Sequence, residues 1–371
     1  MNAKKWLKIL ILLSIIGIGA IGGINYLVDP LWNFSHKFSY NSVQSGFNER
    51  QQKTNYINFR NIDEYDGVLL GSSRARNINQ TDFVNMNIFN YSSSSMHSYE
   101  YKGYIDFFKS KKKKKLKYII IGADFYNTSK PIDVESKNPQ FYIDKTKGLA
   151  YRYKVLFSID GLKNSLINVR NFYTGKKGYG TYYDRNNINH PIRVSEKVRL
   201  KRYTKNLKSH TEAFMGPKYK YNTNLTPIYK SLKNDNPNTK IIIFTSPITA
   251  DLLVSIIKNG DKLKRYKEWL KSIVNIFGEV HQFMDINSIT TNLQNYPDAD
   301  HYYDNIATLL ANKIAGHNNK DIPNDFGIIL NKSNVDAYFE SFERKLEAYK
   351  SPLELFIWSG RGGAIKVATS C

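Results

Sequence analysis

A long apolar segment near the N-terminus dominates the hydropathy pattern of this chain. Residues 9–28 are apolar except for Ser14 and Asn25. An α-helix of this length spans about 30 Å, which matches the hydrocarbon core of a bilayer. Three lysines lie among residues 1–8, and basic flanks stay on the cytoplasmic side. The pattern therefore predicts a short cytoplasmic tail, a single membrane anchor at residues 9–28, and a soluble domain on the periplasmic or extracellular side.

A cleaved signal peptide is the alternative interpretation of the apolar segment. Gly17, Gly19 and Ala20 are small enough to suit a signal peptidase. The apolar segment continues beyond these three residues, which favours a retained anchor.

Short apolar segments then alternate with segments of helical periodicity. The predicted strands are residues 67–70, 87–91, 116–121, 240–244 and 280–286. The predicted helices are residues 99–110, 227–234, 263–277 and 304–315. This alternation is typical of a parallel sheet that is covered by helices on both faces. With right-handed crossovers it predicts a three-layer, doubly wound α/β domain.

The other segments have weaker patterns. Residues 29–60 are polar and aromatic, which indicates a connector between the anchor and the soluble domain at residues 61–316. Residues 128–221 are rich in Tyr, Lys, Asn and Gly with weak periodicity, so we expect an irregular insertion in that domain. Residues 317–371 form a C-terminal extension.

The charge is strongly basic, with a formal net charge of +22. Residues 144–220 alone hold 18 Lys and Arg against 5 Asp and Glu. No nucleic-acid-binding motif accompanies this charge, and the predicted location is outside the cytoplasm, so we expect no nucleic acid partner. A solvated basic face is the simplest interpretation, and the polyanions within reach are phospholipid head groups, teichoic acids and acidic polysaccharides. Because Cys371 is the only cysteine, neither a disulfide framework nor a cysteine-based metal site is expected.

A candidate nucleophile follows the first predicted strand. Gly71 precedes Ser72 and Ser73, and a serine nucleophile needs a sharp strand-to-helix turn with free backbone N–H groups beside it. A serine that caps the N-terminus of a helix is the alternative reading of the same residues.

A candidate base lies near the end of the predicted domain. Asp298 precedes His301 by three residues, in a loop before the last predicted helix, and a carboxylate at that spacing orients an imidazole. Among seven histidines, only His301 has a strand-end loop and an acidic partner at a fixed offset. The sequence therefore predicts a catalytic triad of Ser73, Asp298 and His301. An α/β-hydrolase elbow is a weaker interpretation, since Ala75 stands where that motif has its second Gly.

These two blocks resemble those of the SGNH/GDSL hydrolase superfamily. In that superfamily the nucleophile stands in a Gly-Asp-Ser block after the first strand, and an Asp-x-x-His block lies near the end of the domain. The Gly-Ser-Ser variant resembles the membrane-anchored bacterial branch, which includes the lipoteichoic-acid D-alanylation protein and, more loosely, the alginate O-acetylation proteins. The similarity covers residues 1–127 and 222–350, including the segment 323–327 and the helix after it.

The resemblance also implies positions for the oxyanion hole. The second block falls on Ser94 and Ser95, where a backbone N–H could donate although no Gly is present. The third block, which usually supplies an Asn, has Asp124, and an ionised carboxylate cannot donate as an amide does. Arg74 follows the serine and could bind an anionic substrate or pair with a carboxylate at the end of the sheet. Arg76 is expected to pair with such a sheet-end carboxylate.

The predicted function is that of an extracytoplasmic serine esterase or O-acyltransferase, or of a helper in acylation. The expected substrate is a cell-envelope polysaccharide, a teichoic-acid-like polymer or another acyl ester, with no cofactor and no metal. A multi-spanning membrane acyltransferase is the expected protein partner. The alternative is a non-catalytic, membrane-tethered scaffold that binds polysaccharide through a degenerate SGNH site.

Overall fold

The computed structural model describes residues 2–130, 138–175, 180–217, 219–317 and 319–351. The described helices are α1 (Ala3–Val28), α2 (Glu49–Phe59), α3 (Ser73–Arg76), α4 (Tyr101–Lys111), α5 (Pro139–Lys147), α6 (Tyr151–Leu156), α7 (Ile159–Thr174), α8 (Glu196–Ser209), α9 (Leu225–Asn234), α10 (Ala250–Ile257), α11 (Lys262–Phe277), α12 (Asp304–Ile314) and α13 (Val335–Ala348). The described strands are β1 (Gly67–Leu70), β2 (Ile88–Asn90), β3 (Tyr118–Ala123), β4 (Thr181–Tyr183), β5 (Asn189–Pro191), β6 (Lys240–Thr245), β7 (Glu279–Gln282) and β8 (Ile328–Asn331).

Six of these strands form one central sheet in the order β2-β1-β3-β6-β7-β8. The first five are parallel, and β8 pairs antiparallel with β7. Taken in chain order, the parallel strands follow the order 2-1-3-4-5, which is common among doubly wound α/β domains. In such sheets, functional groups collect beyond the carboxyl ends of the strands.

Helices cover both faces of this sheet. Along β1, Val68 and Leu70 contribute to one hydrophobic core, whereas Leu69 contributes to the other. This alternation follows from the two-residue repeat of a strand, and both cores are large enough to exclude water from the strands. The α/β prediction is therefore confirmed as a mostly parallel sheet flanked by helices.

The N-terminal helix α1 stands apart from this core. It is the one described helix that is long and apolar enough to cross a membrane. The two polar residues within its apolar run both find partners. The Ser14 hydroxyl donates to the carbonyl of Leu10 at 2.8 Å, and Asn25 is buried against the region after α6. The helix therefore exposes an almost wholly apolar surface over most of its length.

The expected connector at residues 29–60 contains α2, which is part of the core. Its residues from position 51 to 57 are all buried although most of them are polar. Their side chains hydrogen bond to backbone carbonyls of neighbouring segments, as when Gln52 donates to Pro30 at 2.9 Å and Lys53 donates to Ser92 at 2.6 Å. The hydropathy pattern did not predict a core helix here, because polar side chains can be buried when their hydrogen bonds are made within the protein.

The expected irregular insertion at residues 128–221 is also largely helical. It contains α5 to α8 and the hairpin of β4 and β5. On α7 the buried residues are Gly161, Ser165 and Asn168, whose spacing is helical but whose side chains are small or polar. A hydrophobic pattern could not reveal this face, because its partners are polar groups of α1 and of the segment that follows it.

The domain extends past the predicted boundary at residue 316. Strand β8 completes the sheet, and α13 places Phe342 in the main hydrophobic core. Residues 352–371 lie outside the described residues. Strand β7 ends earlier than predicted, because the N–H groups of Phe283 and Met284 donate to the side-chain hydroxyl of Thr245 at 2.9 and 3.0 Å instead of to a backbone carbonyl of β6.

Candidate active site

The turn after β1 places Ser73 at the first position of the short helix α3. Close packing requires glycine before it, since a Cβ at Gly71 would lie 2.6 Å from the Cβ of Ala75. A Cβ at Gly122, at the end of β3, would lie 3.0 Å from the same atom. The helix therefore sits directly against the carboxyl ends of two neighbouring strands, and Ser73 is left half-buried at the edge of the sheet.

Ser73, His301 and Asp298 lie in hydrogen-bond contact with one another. The distance from His301 Nε2 to Ser73 Oγ is 2.7 Å. His301 Nδ1 lies 3.1 and 3.0 Å from the two carboxylate oxygens of Asp298. Although Ser73 lies 228 positions before His301 in the chain, the three residues thus form a continuous relay from carboxylate to imidazole to hydroxyl.

The Asp298 carboxylate also shapes the loop that carries the histidine. Its Oδ1 accepts the backbone N–H groups of Asp300 and His301, both at 2.8 Å. One carboxylate therefore fixes the backbone and the imidazole ring together. This local turn explains why a spacing of three residues suffices to orient the imidazole.

The charges of the site shift two pKa values in opposite directions. Burial lowers the pKa of His301, but the charge and hydrogen bond of Asp298, together with the charge of Asp300, outweigh this effect and raise it above the ordinary 6.5. Burial raises the pKa of Asp298, but the charge and hydrogen bond of His301 outweigh it and lower the pKa below 3.8. The pair thus favours an ionised carboxylate and stabilises an imidazolium.

A second chain of buried charges lies behind the triad. The Arg74 guanidinium pairs with the Asp300 carboxylate, and its Nη1 lies 3.2 Å from Asp124 Oδ1. The hydroxyl of Ser72 donates to the other oxygen of Asp124 at 2.5 Å. Burial raises the pKa of Asp300, but Arg74 and then His210 outweigh it and hold the pKa well below 3.8. Arg74 and Asp124 therefore pair with each other instead of facing a substrate.

The region 128–221 contributes a histidine to this group of buried charges. His210, which begins a turn of π-helix after α8, places Nε2 at 3.2 Å from Asp300 Oδ2. The same carboxylate oxygen lies 3.8 Å from His301 Nε2. Sequence reasoning missed His210, because its partner is distant along the chain and no local spacing links the two.

The loop after β2 is held by Glu49 of α2. The Glu49 carboxylate accepts both the backbone N–H of Ser94, at 2.7 Å, and its hydroxyl, at 2.8 Å. Nη1 of Arg76 donates to Glu49 and to the Ser94 hydroxyl, each at 2.7 Å. Arg76 thus pairs with a carboxylate as expected, but the partner comes from α2 and not from the end of the sheet. The N–H of Ser94, which the resemblance suggested as an oxyanion donor, is engaged by Glu49.

Ser95 is exposed and adopts the left-handed conformation, with a φ of 51°. Its carbonyl accepts from Arg50 at 3.4 Å. Arg50 is fixed in turn by the Glu100 carboxylate, at 2.7 and 2.9 Å. The loop is therefore anchored to α2 at both Ser94 and Ser95.

The structure thus brings Ser73, Asp298 and His301 into one relay, and it places Arg74 and Asp124 in a buried ion pair beneath them. No protein-family model matches the sequence, and no curated protein is significantly similar to it. What the site can do chemically is therefore argued from its geometry.

Proposed function

We propose that this protein is a membrane-anchored serine esterase or O-acyltransferase of the SGNH type that acts on a cell-envelope polymer. The observation that carries the proposal is the contact of 2.7 Å between His301 Nε2 and Ser73 Oγ, with Asp298 on the other ring nitrogen. A nucleophile, a base and an orienting carboxylate in this arrangement suit acyl transfer from an ester.

In this proposal Ser73 Oγ attacks the carbonyl carbon of an acyl ester, and His301 Nε2 accepts the hydroxyl proton. The tetrahedral intermediate then expels the alcohol, to which His301 returns that proton, and the acyl group remains on Ser73. Water or a sugar hydroxyl next loses a proton to His301 and attacks the acyl-enzyme. The second tetrahedral intermediate expels Ser73 Oγ, to which His301 returns the proton, and the acid or the new ester leaves. Asp298 holds the imidazole in the tautomer that can accept the proton and stabilises the imidazolium.

The oxyanion that forms on the carbonyl needs hydrogen-bond donors. The backbone N–H of Ser73 suits this role, because the first N–H groups of a helix have no partner inside the helix. The Ser94 N–H is not free for the role while Glu49 accepts it. Asp124 serves instead to hold Ser72 and Arg74, and so fixes the turn that presents the nucleophile.

The apolar helix α1 supports a single-pass anchor, and the lysines before it favour a soluble domain on the extracytoplasmic side. The side chains of Asp298 and His301 remain 19% and 22% exposed, which suits a site that must admit a large polymer from solvent. Polysaccharides and teichoic-acid-like polymers are the ester-bearing substrates of that location. A multi-spanning membrane acyltransferase would supply acyl groups if the reaction is a transfer.

Labelling of the detergent-solubilised full chain with a fluorophosphonate probe tests the proposal. We expect the wild type to be labelled and Ser73→Ala to be unlabelled. Ser110→Ala is the matched control, because Ser110 is an exposed serine in the last turn of α4 whose hydroxyl donates to the carbonyl of Phe107. If the wild type and Ser110→Ala take up no probe, the chain is better described as a non-catalytic, polysaccharide-binding scaffold.

A partition experiment separates the two reactions. The protein is given p-nitrophenyl acetate with and without glycerol as an alcohol acceptor. Acetylated glycerol in excess over free acetate indicates a transferase, whereas acetate alone indicates an esterase.

A further inference from the structure

Helices α6 and α7 and the turn between them expose several large apolar side chains. Tyr153 and Ile159 are each 66% exposed, Leu166 is 52% exposed and Phe157 is 47% exposed. We call these four residues the α6–α7 tip. A group of exposed apolar residues on a folded domain usually marks a surface that contacts another apolar phase.

The tip is fixed directly to α1. The side-chain amide of Asn25 donates to the carbonyls of Leu156 and Ser158, at 2.8 and 3.0 Å. Its carbonyl oxygen accepts from the hydroxyl of Ser165 at 2.9 Å. The ring of Phe157 lies against Gly22, where a Cβ would approach it to 2.5 Å. The turn between α6 and α7 is thus held on the C-terminal part of α1 by hydrogen bonds and by close packing.

The position of these contacts along α1 determines where the tip lies relative to the membrane surface. Residues 3–20 of α1 are exposed at every position, and burial against the rest of the protein begins only after them. Such a stretch is about 27 Å long at a rise of roughly 1.5 Å per residue, close to the thickness of a hydrocarbon core. The residues of α1 that contact the tip therefore begin at the edge of the hydrocarbon core.

The charges around the tip suit a lipid surface. Residues 151–174 contain four cationic residues, Arg152, Lys154, Lys163 and Arg170, against the single acidic residue Asp160. Lys154 and Lys163 are exposed beside the apolar side chains. An apolar patch with flanking lysines is the pattern by which peripheral segments enter the interface of phospholipid bilayers.

We propose that the α6–α7 tip inserts into the head-group region of the same bilayer that α1 spans. The inference rests on the proposed membrane span of α1. The tip then acts as a second membrane contact beside the anchor. Because Asn25 and Gly22 couple it rigidly to α1, it restricts how far the domain can tilt or rotate about the anchor, and so holds the sheet in one orientation above the lipid surface.

Site-directed spin labelling of the full chain in phosphatidylglycerol-containing nanodiscs tests this inference. In a Cys371→Ser background, a nitroxide is attached at Ile159→Cys in the tip. Ile329→Cys is the matched control, since Ile329 is also an exposed isoleucine, on β8 at the sheet edge opposite β2. Ile16→Cys, in the exposed part of α1, reports on the anchor itself. Collision rates with apolar oxygen and with a water-soluble nickel chelate give the depth of each label.

We expect the ratio of oxygen to nickel accessibility at position 159 to exceed that at position 329 several-fold and to be smaller than that at position 16. If position 16 lies in lipid while position 159 has the same accessibility ratio as position 329, the membrane span of α1 is supported and the insertion of the tip is refuted. If position 16 is itself in water, both are overturned. Low accessibility of position 159 to both reagents would indicate protein contact between copies, which also overturns the proposal.

Discussion

Replacement of Asp298 by Asn separates the structural role of this residue from its role in orienting His301. The amide oxygen of Asn can still accept the two backbone N–H groups that Oδ1 accepts at 2.8 Å, so the loop should persist. The amide nitrogen, however, takes the place of an oxygen 3.0 Å from His301 Nδ1 and must donate to it. The ring proton then moves to Nε2, which faces Ser73 and can no longer accept a proton.

The magnitude follows from the loss of the base. The same substitution in a serine protease triad lowers turnover roughly 10⁴-fold, which is about 5 kcal/mol of transition-state stabilisation. A loss of this size is expected here, because in the proposed mechanism His301 Nε2, 2.7 Å from Ser73 Oγ, is the base. The pH dependence should change as well. The wild-type rate should rise as His301 deprotonates, at a pKa above 6.5, and Asp298→Asn should move this rise to lower pH by removing the charge that raises the pKa.

The assay is the rate of fluorophosphonate labelling, together with hydrolysis of p-nitrophenyl acetate, measured across the neutral pH range. Thermal unfolding of both proteins checks that the variant is folded. A decrease of less than roughly tenfold, or about 1.4 kcal/mol, in a folded variant would refute the assignment of Asp298 as the residue that orients the base. An unchanged pH profile would refute the electrostatic account of His301.

Three further predictions concern stability. Arg74→Met should lower the free energy of unfolding by roughly 3–5 kcal/mol in denaturant titrations at neutral pH, because it leaves buried carboxylates without their counter-charge. Arg74 depresses the pKa of Asp300, so their ion pair stabilises the folded state above pH 3.8, the ordinary pKa of an Asp, and this stabilisation is lost in acid. The loss of unfolding free energy in Arg74→Met should therefore shrink on acidification. A loss that is independent of pH would contradict this. Gly71→Ala should cost roughly 1–3 kcal/mol in thermal unfolding, because its Cβ would lie 2.6 Å from that of Ala75, and an unchanged melting temperature would argue against the close packing. Burial lowers the pKa of Lys53 from the ordinary 10.5 to about 7, so between these two pH values the folded state binds fewer protons than the unfolded state. Stability should therefore rise with pH across this interval, and Lys53→Met should flatten the slope; an equal slope in the variant would count against it.

The sheet and the proximity of Ser73, Asp298 and His301 could be predicted because their signals in the sequence are local. Strand β3, for example, is buried on both faces and reads as a short apolar run at residues 118–123. The Asp298 and His301 pair forms one turn, so its spacing is visible in the sequence. Gly71 marks the sharp turn before the serine, where a side chain would collide with the helix that follows.

The parts that escaped prediction depend on polar contacts between distant segments. Helix α2 is buried through hydrogen bonds from its polar side chains to backbone carbonyls, and hydropathy reads such residues as exposed. The role of Glu49 at Ser94 and that of His210 at Asp300 follow only from the folded geometry. Asn25 looked like an interruption of the apolar run, yet it attaches α1 to the rest of the protein.

The central claim is that Ser73 is a nucleophile activated by His301 and Asp298, and peptide mass spectrometry after fluorophosphonate treatment tests it most directly. The account predicts one adduct per chain, located on Ser73, which forms in the wild type and is lost in His301→Ala. An adduct on a different residue, or equal labelling of Ser73 in His301→Ala, would contradict it.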